Sequence, residues 1–594
     1  MSSDKKRKET VRRLIAYAAA YKGRLVWLFL CALLSSACFL ISPYVIGKAI
    51  DNLAAASAPF DAGLLYRQIG LLALLLVFGA AAQWQVSGTA ARTAQDAVKQ
   101  IRLEAFRKIG ALPIGYLDSV SSGSIVSGFT SDIDYIAEGL TQGLTLIFSA
   151  VVALIGSAVM MFVICAPAAA AVIAVAPLAL FVTFFISRRS YKNFREQARL
   201  TGEYSALMSE YAGNSKTVKA FCYERRAEKK TEEINLALQA ASQKAMFYSS
   251  LTNPSTRLIN NMAYVLIGLI GGLIAALVPG GGGLSAGVLS SLIAYSAQFA
   301  KPLNDMGAIT TQLQAARAGA ARVFSYLDVP DESESIDAAR TGDSRRTVNG
   351  SIEGAIEFNN VGFSYEKDKP LLSGFNLSVK AGSAVAVVGP TGAGKTTLVN
   401  LLMRFYDADE GKILIDGRDI AQMPRDGVRA AFGLVLQDSY LFTGTVRDNI
   451  AFGKPGAPRE AVEAAARAAY AHDFIVKLPD GYDTVVSESG DNLSAGQKQL
   501  ITIARAYLID PPVLILDEAT SGVDTLTEAH IKRGLARLMK GRTSFIIAHR
   551  LSTIESADQI VVMNAGRVVE TGSHTELLEK KGFYSELYHS QYKV

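Results

Sequence analysis

The chain has 594 residues, 50% of them hydrophobic and 19% charged, with a formal net charge of +6. That length is too great for one hydrophobic core, so two or more domains are expected, and a mean hydropathy of +0.23 is high for a soluble chain. A pI near 8.9 would suit nucleic acid, but a one-sided distribution of Lys and Arg between apolar segments accounts for much of it, and no nucleic-acid partner is expected.

The basic N-terminus (Lys5, Lys6, Arg7, Lys8) leads to a long apolar run without a convincing cleavage site, so no cleavable signal is expected. Residues 9–22 (ETVRRLIAYAAAYK) read as an amphipathic lead-in lying at a membrane surface. Six apolar runs follow, near 25–50, 64–90, 141–163, 166–188, 255–278 and 285–305. Each is long enough to cross a hydrocarbon core of about 30 Å as a helix. A turn at Ala166–Pro167 divides the middle pair, and Pro279–Gly283 (PGGGG) divides the last. Asp51–Leu64, Val163–Ala170 and Pro279–Ser290 contain no Lys or Arg, whereas 91–140 and 188–254 are rich in both. The positive-inside rule then makes the short segments external and the long segments and both termini cytoplasmic.

The long segments are helix-compatible, so helices running well past the bilayer are expected. Breaks at Ser121–Asp134 and Tyr211–Phe221 could each hold a short crosswise helix that passes motion to a soluble domain, or be solvated turns. The sixth run carries Gln298, Lys301, Asn304 and Asp305, of which 298, 301 and 305 share a helix face. Charges at membrane depth tend to face a water-filled cavity or one another. An i,i+4 pair of Lys301 with Asp305 near the inner surface is the simpler reading, and Arg257 poses the same choice. The cysteines, Cys31, Cys38, Cys165 and Cys222, suit neither a metal site nor a disulfide framework and read as small apolar residues.

Asp328–Asn349 is polar and poor in large apolar residues, so 328–353 is expected to be a linker between domains at 1–327 and 354–594. From Gly354 short strand-like and helix-like runs alternate, as in an α/β domain. Ser383–Leu401 (SAVAVVGPTGAGKTTLVNL) is G-x-x-x-x-G-K-[ST] with a β-branched strand before it and an apolar helix after it. Glycines let backbone N–H groups curl around an anion, and the following helix adds its positive end. The loop residues Gly389, Pro390, Thr391, Gly392, Ala393 and Gly394 would cradle phosphates. Lys395 would reach the β- and γ-phosphates, with Thr396 on Mg²⁺ and Thr397 beside it. VLILDE (Val513–Glu518) is a buried strand ending in two carboxylates. Asp517 is placed to hold Mg²⁺, directly or through water, and Glu518 to orient or deprotonate an attacking water.

LSAGQKQ (Leu493–Gln499) resembles the signature motif of ATP-binding cassette (ABC) transporters. Gln437 in VLQDSYLF resembles their Q-loop, SGVD (Ser521–Asp524) their D-loop, and His549 in IIAHRLST their switch histidine. Tyr365 lies 24 residues before Gly389 and resembles the aromatic residue that stacks on adenine. Six transmembrane runs ahead of such a domain resemble a half-size exporter: a six-helix all-α transmembrane domain fused to an α/β P-loop nucleotide-binding domain. The resemblance implies ATP and Mg²⁺ held in a head-to-tail dimer. Lys395 and Thr396 of one chain would face Ser494, Ala495, Gly496 and Gln497 of the other. Gln437 would touch Mg²⁺ and the attacking water, His549 would hold the γ-phosphate, and Asp524 would belong to the site. The family's usual motif is LSGGQ, so Ala495 replaces a glycine and would be strained if that position needed a positive φ.

These expectations describe an ATP-driven exporter of amphiphilic, drug-like or lipid-like cargo in the plasma membrane, as a homodimer or with a related chain. The expected partners are thus a second half-transporter, the bilayer and a small amphiphile. A lipid flippase is a near alternative, and a siderophore importer on an exporter fold is a more distant one. The chain shows no N-terminal peptidase-like segment, which speaks against a peptide-processing exporter. A gated channel would not need the catalytic set, and a soluble cassette ATPase would not need the apolar runs.

Overall fold

The computed structural model describes every residue except 1–2, 55–60, 278–284, 333–351, 367–368, 437–438, 488–489, 491, 518–523, 548–553 and 593–594. It divides into two compact units: Met1–Gly110 with Ser121–Val329, and Ala111–Val120 with Pro330–Val594.

The first unit is helical. It contains α1 (Ser3–Ala19), α2 (Lys22–Ala54), α3 (Ala62–Ala111), and, after a six-residue helix α4 (Ile114–Ser119) that belongs to the second unit, α5 (Ser122–Ser127) and α6 (Ile133–Thr145). Then come α7 (Val151–Ile164), α8 (Ala166–Gly213), α9 (Ser215–Ala220), α10 (Glu224–Ser250), α11 (Thr252–Leu277) and α12 (Ala286–Leu327). The described residues of the six apolar runs lie on these helices, with a π-helical turn at Leu146–Ala150 between α6 and α7. Among the described residues, four helical stretches are long and apolar enough to cross a membrane: Lys22–Ala54, Ala62–Ala111, Ser122–Ile164 and Glu224–Ile274. α3 and α8 have 50 and 48 residues; at 1.5 Å per residue each exceeds about 70 Å, more than twice a hydrocarbon core.

Local signals set the breaks. Cys165 is extended (φ −154°, ψ 98°), and Pro167 sits in the first turn of α8, where its missing N–H is harmless. The Ser285 hydroxyl caps α12 by accepting from the Val288 N–H, and Asp51 on α2 accepts from the Ser285 hydroxyl (2.7 Å) and the Gly287 N–H (2.8 Å). α12 packs against α2, α6 and α7, and α8 packs against α10 and α11. At Tyr211–Phe221 a short helix does form, as α9. In the expected Ser121–Asp134 stretch a six-residue helix, α5, forms as well, and a further short helix, α4, comes just before it. Pro113 precedes α4 in an extended conformation and ends the long helix earlier; residues 121–134 continue as α5, a π-helical turn and α6.

The second unit holds two main sheets. β1 (Ile356–Phe363), β2 (Leu372–Val379), β4 (Glu410–Ile415) and β5 (Arg418–Asp419) form an antiparallel sheet in the order β2-β1-β4-β5. β3 (Ala384–Val388), β6 (Phe432–Val435), β9 (Val513–Asp517), β10 (Thr543–Ile547), β11 (Gln559–Asn564) and β12 (Arg567–Gly572) form the order β12-β11-β3-β10-β9-β6. A two-stranded ladder joins β7 (Gly444–Thr445) to β8 (Val485–Val486). β3 lies between β10 and β11 and is parallel to both. Its Val385 and Val387 pack into one apolar core and its Ala386 and Val388 into another, which is why this strand reads as an unbroken apolar run.

Part of the expected linker lies outside the described residues, but its start is fixed. The Glu332 carboxylate accepts two hydrogen bonds from Arg429 (2.9 and 2.7 Å), and its N–H donates to the Ala111 carbonyl (2.8 Å).

Candidate functional site

The loop after β3 is shaped by close approach and by handedness. A Cβ on Gly389 would lie 2.2 Å from the Met563 carbonyl oxygen, so no larger residue fits beside β11. Gly394, the N-cap of helix α13 (Lys395–Leu402), has φ +97°, which residues with a Cβ resist. Between them Thr391 and Gly392 are exposed, Pro390 is half-buried and Ala393 is buried. Such a turn, feeding a helix N-terminus, gathers backbone N–H groups into a concavity suited to an anion.

Lys395 lies across this loop. Its Nζ donates to the carbonyls of Gly389 (2.7 Å) and Pro390 (3.0 Å). Burial pushes the ammonium pKa down, and the nearby Asp517 carboxylate pulls it back up. Asp517 ends β9, two strands from β3 in the sheet. The Thr396 residue is exposed, whereas Thr397 is buried. A concave loop, an ammonium over it and a carboxylate at a nearby strand end fit a polyphosphate with its divalent cation.

Tyr365 is exposed and firmly positioned. Its hydroxyl donates to Thr397 Oγ1 (3.4 Å) and accepts from Asn400 Nδ2 (3.0 Å). Its ring meets Phe363 and Tyr406 edge-on, at centroid distances of 4.8 and 5.0 Å. Tyr406 in turn donates from its hydroxyl to the Asp118 carboxylate on α4 (2.6 Å). Burial and that hydrogen bond push the Tyr406 phenol pKa well up, so it stays a donor at neutral pH. Sequence reasoning missed Tyr406 and Asp118. The signal available was RFYD (Arg404–Asp407), an aromatic pair directly after α13.

The glycine-to-alanine departure is placed on helix α14 (Ala495–Ile509). Ser494 is its N-cap: Ser494 Oγ accepts from the Gln497 N–H (3.3 Å), and Gln497 Oε1 accepts from the Ser494 N–H (2.9 Å). Ala495 is the first helical residue and is not among those with positive φ, so its methyl is unstrained there. Ser494 and Ala495 are exposed, and Gly496 is buried. Asp524 is the N-cap of α15 (Thr525–Met539). Its carboxylate accepts from the Thr527 N–H (3.0 Å), and this hydrogen bond holds its pKa below the usual range. Gln437, Glu518 and His549 lie outside the described residues.

On the polar face of α12, Gln298 has a structural partner. Pro43 inside α2 has no N–H, so the Phe39 carbonyl loses its helical donor. Gln298 Nε2 donates to that carbonyl (3.2 Å). Tyr295 donates to the Leu40 carbonyl and Ser291 to that of Pro43 (2.9 Å). Residues 291, 295 and 298 stand at i, i+4 and i+7, a single face of α12. The predicted Lys301–Asp305 pair is not present among the described residues. Both side chains are exposed, where an i,i+4 pair gains little against the entropy of two long side chains. Arg257 is also exposed. All four cysteines are free; Cys31 and Cys38 are buried, Cys165 is half-buried and Cys222 is exposed.

A family model described as the ABC transporter transmembrane region matches residues 25–303, and one described as ABC transporter matches residues 372–521. The chain belongs to the ABC transporter family. The fatty acid ABC transporter ATP-binding/permease protein of Mycobacterium bovis is 40% identical over 517 residues, 87% of this chain and 80% of that one. The ATP-dependent lipid A-core flippase of Syntrophus aciditrophicus is 33% identical over 597 residues, 99% and 95% of the two chains. A solved structure of a bacterial Atm1-family ABC exporter with ATP bound is similar over 97% of this chain and 99% of its own, with a TM-score of 0.79 and 32% identity. This ABC transporter is thus a membrane protein in which a helical transmembrane domain is fused to a nucleotide-binding domain, with an exporter fold. It binds ATP and couples ATP hydrolysis to transport.

Proposed function

We propose that this ABC transporter is a plasma-membrane half-exporter that works as a dimer and moves lipid-like amphiphiles outward. The observation that carries the nucleotide half of this reading is Lys395 lying over the Gly389–Gly394 loop within electrostatic reach of Asp517. Adenine stacks on Tyr365, whose ring is already held by Phe363 and Tyr406. The loop N–H groups and Lys395 hold the phosphates. Thr396, Asp517 and Gln437 would hold Mg²⁺, which when bound offsets phosphate charge. Glu518 orients and deprotonates the attacking water, and His549 holds the γ-phosphate. The α14 terminus, Ser494 to Gln497, with Ser494 and Ala495 exposed, caps the same phosphates from the second chain. Asp524 serves this arrangement by starting α15, since its carboxylate is engaged as a cap.

Six crossings, with both termini and the nucleotide-binding domain cytoplasmic, follow from the charge asymmetry of the loops. The domains then fall at 1–327 and 354–594, joined by a linker. Support for lipid-like cargo comes from the two named relatives, one a fatty acid transporter and the other a lipid A-core flippase. ATP hydrolysis by this chain alone, reconstituted in lipid beside Glu518→Gln, is the test. Activity that disappears in the variant assigns both sites to a homodimer, and stimulation by acyl amphiphiles supports the cargo class. A folded chain without activity requires a second, related chain. Hydrolysis that survives Glu518→Gln would overturn the assigned mechanism.

A further inference from the structure

A cavity of about 500 Å³ lies between α8 and α10, away from the nucleotide loop. Arg189 and Lys192 of α8 and Lys244 of α10 line it, with Phe247 and Tyr248. No Asp or Glu lines it. Among the described residues none of the three cations has an ion-pair partner; Arg189 sits over the Tyr248 ring, 5.8 Å from its centroid. Three like charges around one opening repel each other unless an anion enters.

The position of the cavity says which anion. The apolar run 166–188 ends immediately before Arg189. The run 255–278 begins seven residues after Tyr248, about 10 Å along a helix. On the membrane reading above, the cavity therefore stands at the level of the inner-leaflet headgroups, where tyrosine is also favoured. Basic recesses between helices at this level suit anionic headgroups. Phe247 is exposed beside the cations and offers an apolar surface for the start of an acyl chain.

We propose that Arg189, Lys192 and Lys244 form a binding site for the phosphodiester headgroup of an anionic inner-leaflet phospholipid. The lipid neutralises the three charges and bridges α8 to α10. This site rests on the membrane orientation proposed above, with the long segments cytoplasmic, and is independent of the cargo and of the ATPase activity.

The test uses native mass spectrometry of the full chain in mild detergent, titrated with phosphatidylglycerol or phosphatidylcholine. The wild type should retain phosphatidylglycerol preferentially. Each charge removed, by Arg189→Gln, Lys192→Gln or Lys244→Gln, should weaken retention roughly five-fold, and the triple variant should lose the preference. Lys230→Gln removes the same charge about 20 Å further along α10, beyond the screening length, and should change nothing. Arg189→Lys should restore most of the binding. If the triple variant fails to fold, the single variants carry the comparison. Equal retention by wild type and the single variants would overturn the site. Displacement of the lipid by millimolar inorganic phosphate would overturn the lipid assignment in favour of a free-anion pocket.

Discussion

Lys395 and Gln298 each set a side-chain nitrogen against backbone carbonyls, one in the nucleotide-binding unit and the other in the helical unit. Gln298 is neutral and meets one carbonyl, that of Phe39, which Pro43 has left without its helical donor. Both groups are satisfied by the contact, and no better partner is needed. Lys395 is charged and buried enough to depress its pKa, yet among the described residues its hydrogen bonds go to two neutral carbonyls, and the Asp517 carboxylate offsets that burial only in part. An ammonium so placed gains much more from an anion than from a carbonyl. A polar side chain in an apolar setting therefore marks a ligand site only when its charge exceeds what its neighbours can answer.

The largest effect expected from this contrast is at Lys395. Lys395→Met should reduce ATP hydrolysis at least about a hundred-fold, because the charge that meets the transferring phosphoryl group is gone. Stability should not fall with it. Folding lowers this pKa, so the unfolded chain binds the proton more tightly. The resulting penalty is in force below the folded pKa and fades as pH rises towards the ordinary value of 10.5. Thermal unfolding at neutral and alkaline pH, wild type beside variant, reads the sign. A variant that unfolds readily at neutral pH would place Lys395 with Gln298 as a structural group.

Tyr406 tests whether positioning extends from α4 to the nucleotide. Tyr406→Ala removes the edge contact on Tyr365 and should raise the KM for ATP roughly five-fold, the worth of one aromatic pair, with kcat nearly unchanged. Tyr406→Phe keeps the ring and loses only the bond to Asp118, so its KM should stay close to wild type. Equal KM values in all three proteins would separate Tyr406 from the adenine site.

Gln298 gives a smaller effect that is confined to stability. Gln298→Leu should destabilise by about 1 kcal/mol, within the range for hydrogen bonds between membrane helices. In a Pro43→Ala background residue 43 regains an N–H for the Phe39 carbonyl, and the same substitution should be nearly neutral. A loss of equal size in both backgrounds would mean that Gln298 does not serve the gap left by Pro43.

Motifs that act through backbone shape were the most legible in the sequence. GPTGAGKT could be located because Gly389 and Gly394 are dictated by local geometry, one by the Met563 carbonyl and one by a positive φ. Helix breaks were legible where residues such as Asn214 or Pro167 end or start a turn. The break at Pro113 is less legible, because the serine- and glycine-rich stretch after it carries the denser turn signal. The roles of Gln298 and Tyr406 depend on residues more than 250 positions away, Phe39 and Asp118. Helical spacing says which residues share a face but not which face they meet, so for the α12 residues both an i,i+4 pair and a cavity lining stayed open.

The smallest predicted effect is at Ala495. The familiar motif has glycine there, and a glycine invites the inference that positive φ or close approach is needed. In this protein the position is the first residue of α14, exposed and helical, with the capping box of Ser494 and Gln497 around it. A helix start defined by its cap needs no glycine, and a methyl pointing outward leaves the backbone N–H groups where they are. Ala495→Gly should then lower stability by less than about 1 kcal/mol, through the greater freedom of glycine in the unfolded chain. Hydrolysis should stay within about two-fold, well under the 1.4 kcal/mol that a ten-fold change represents. A several-fold rise in hydrolysis at unchanged stability would show that the methyl intrudes on the phosphate side of the dimer, and the strain would then lie at the contact between chains rather than in φ.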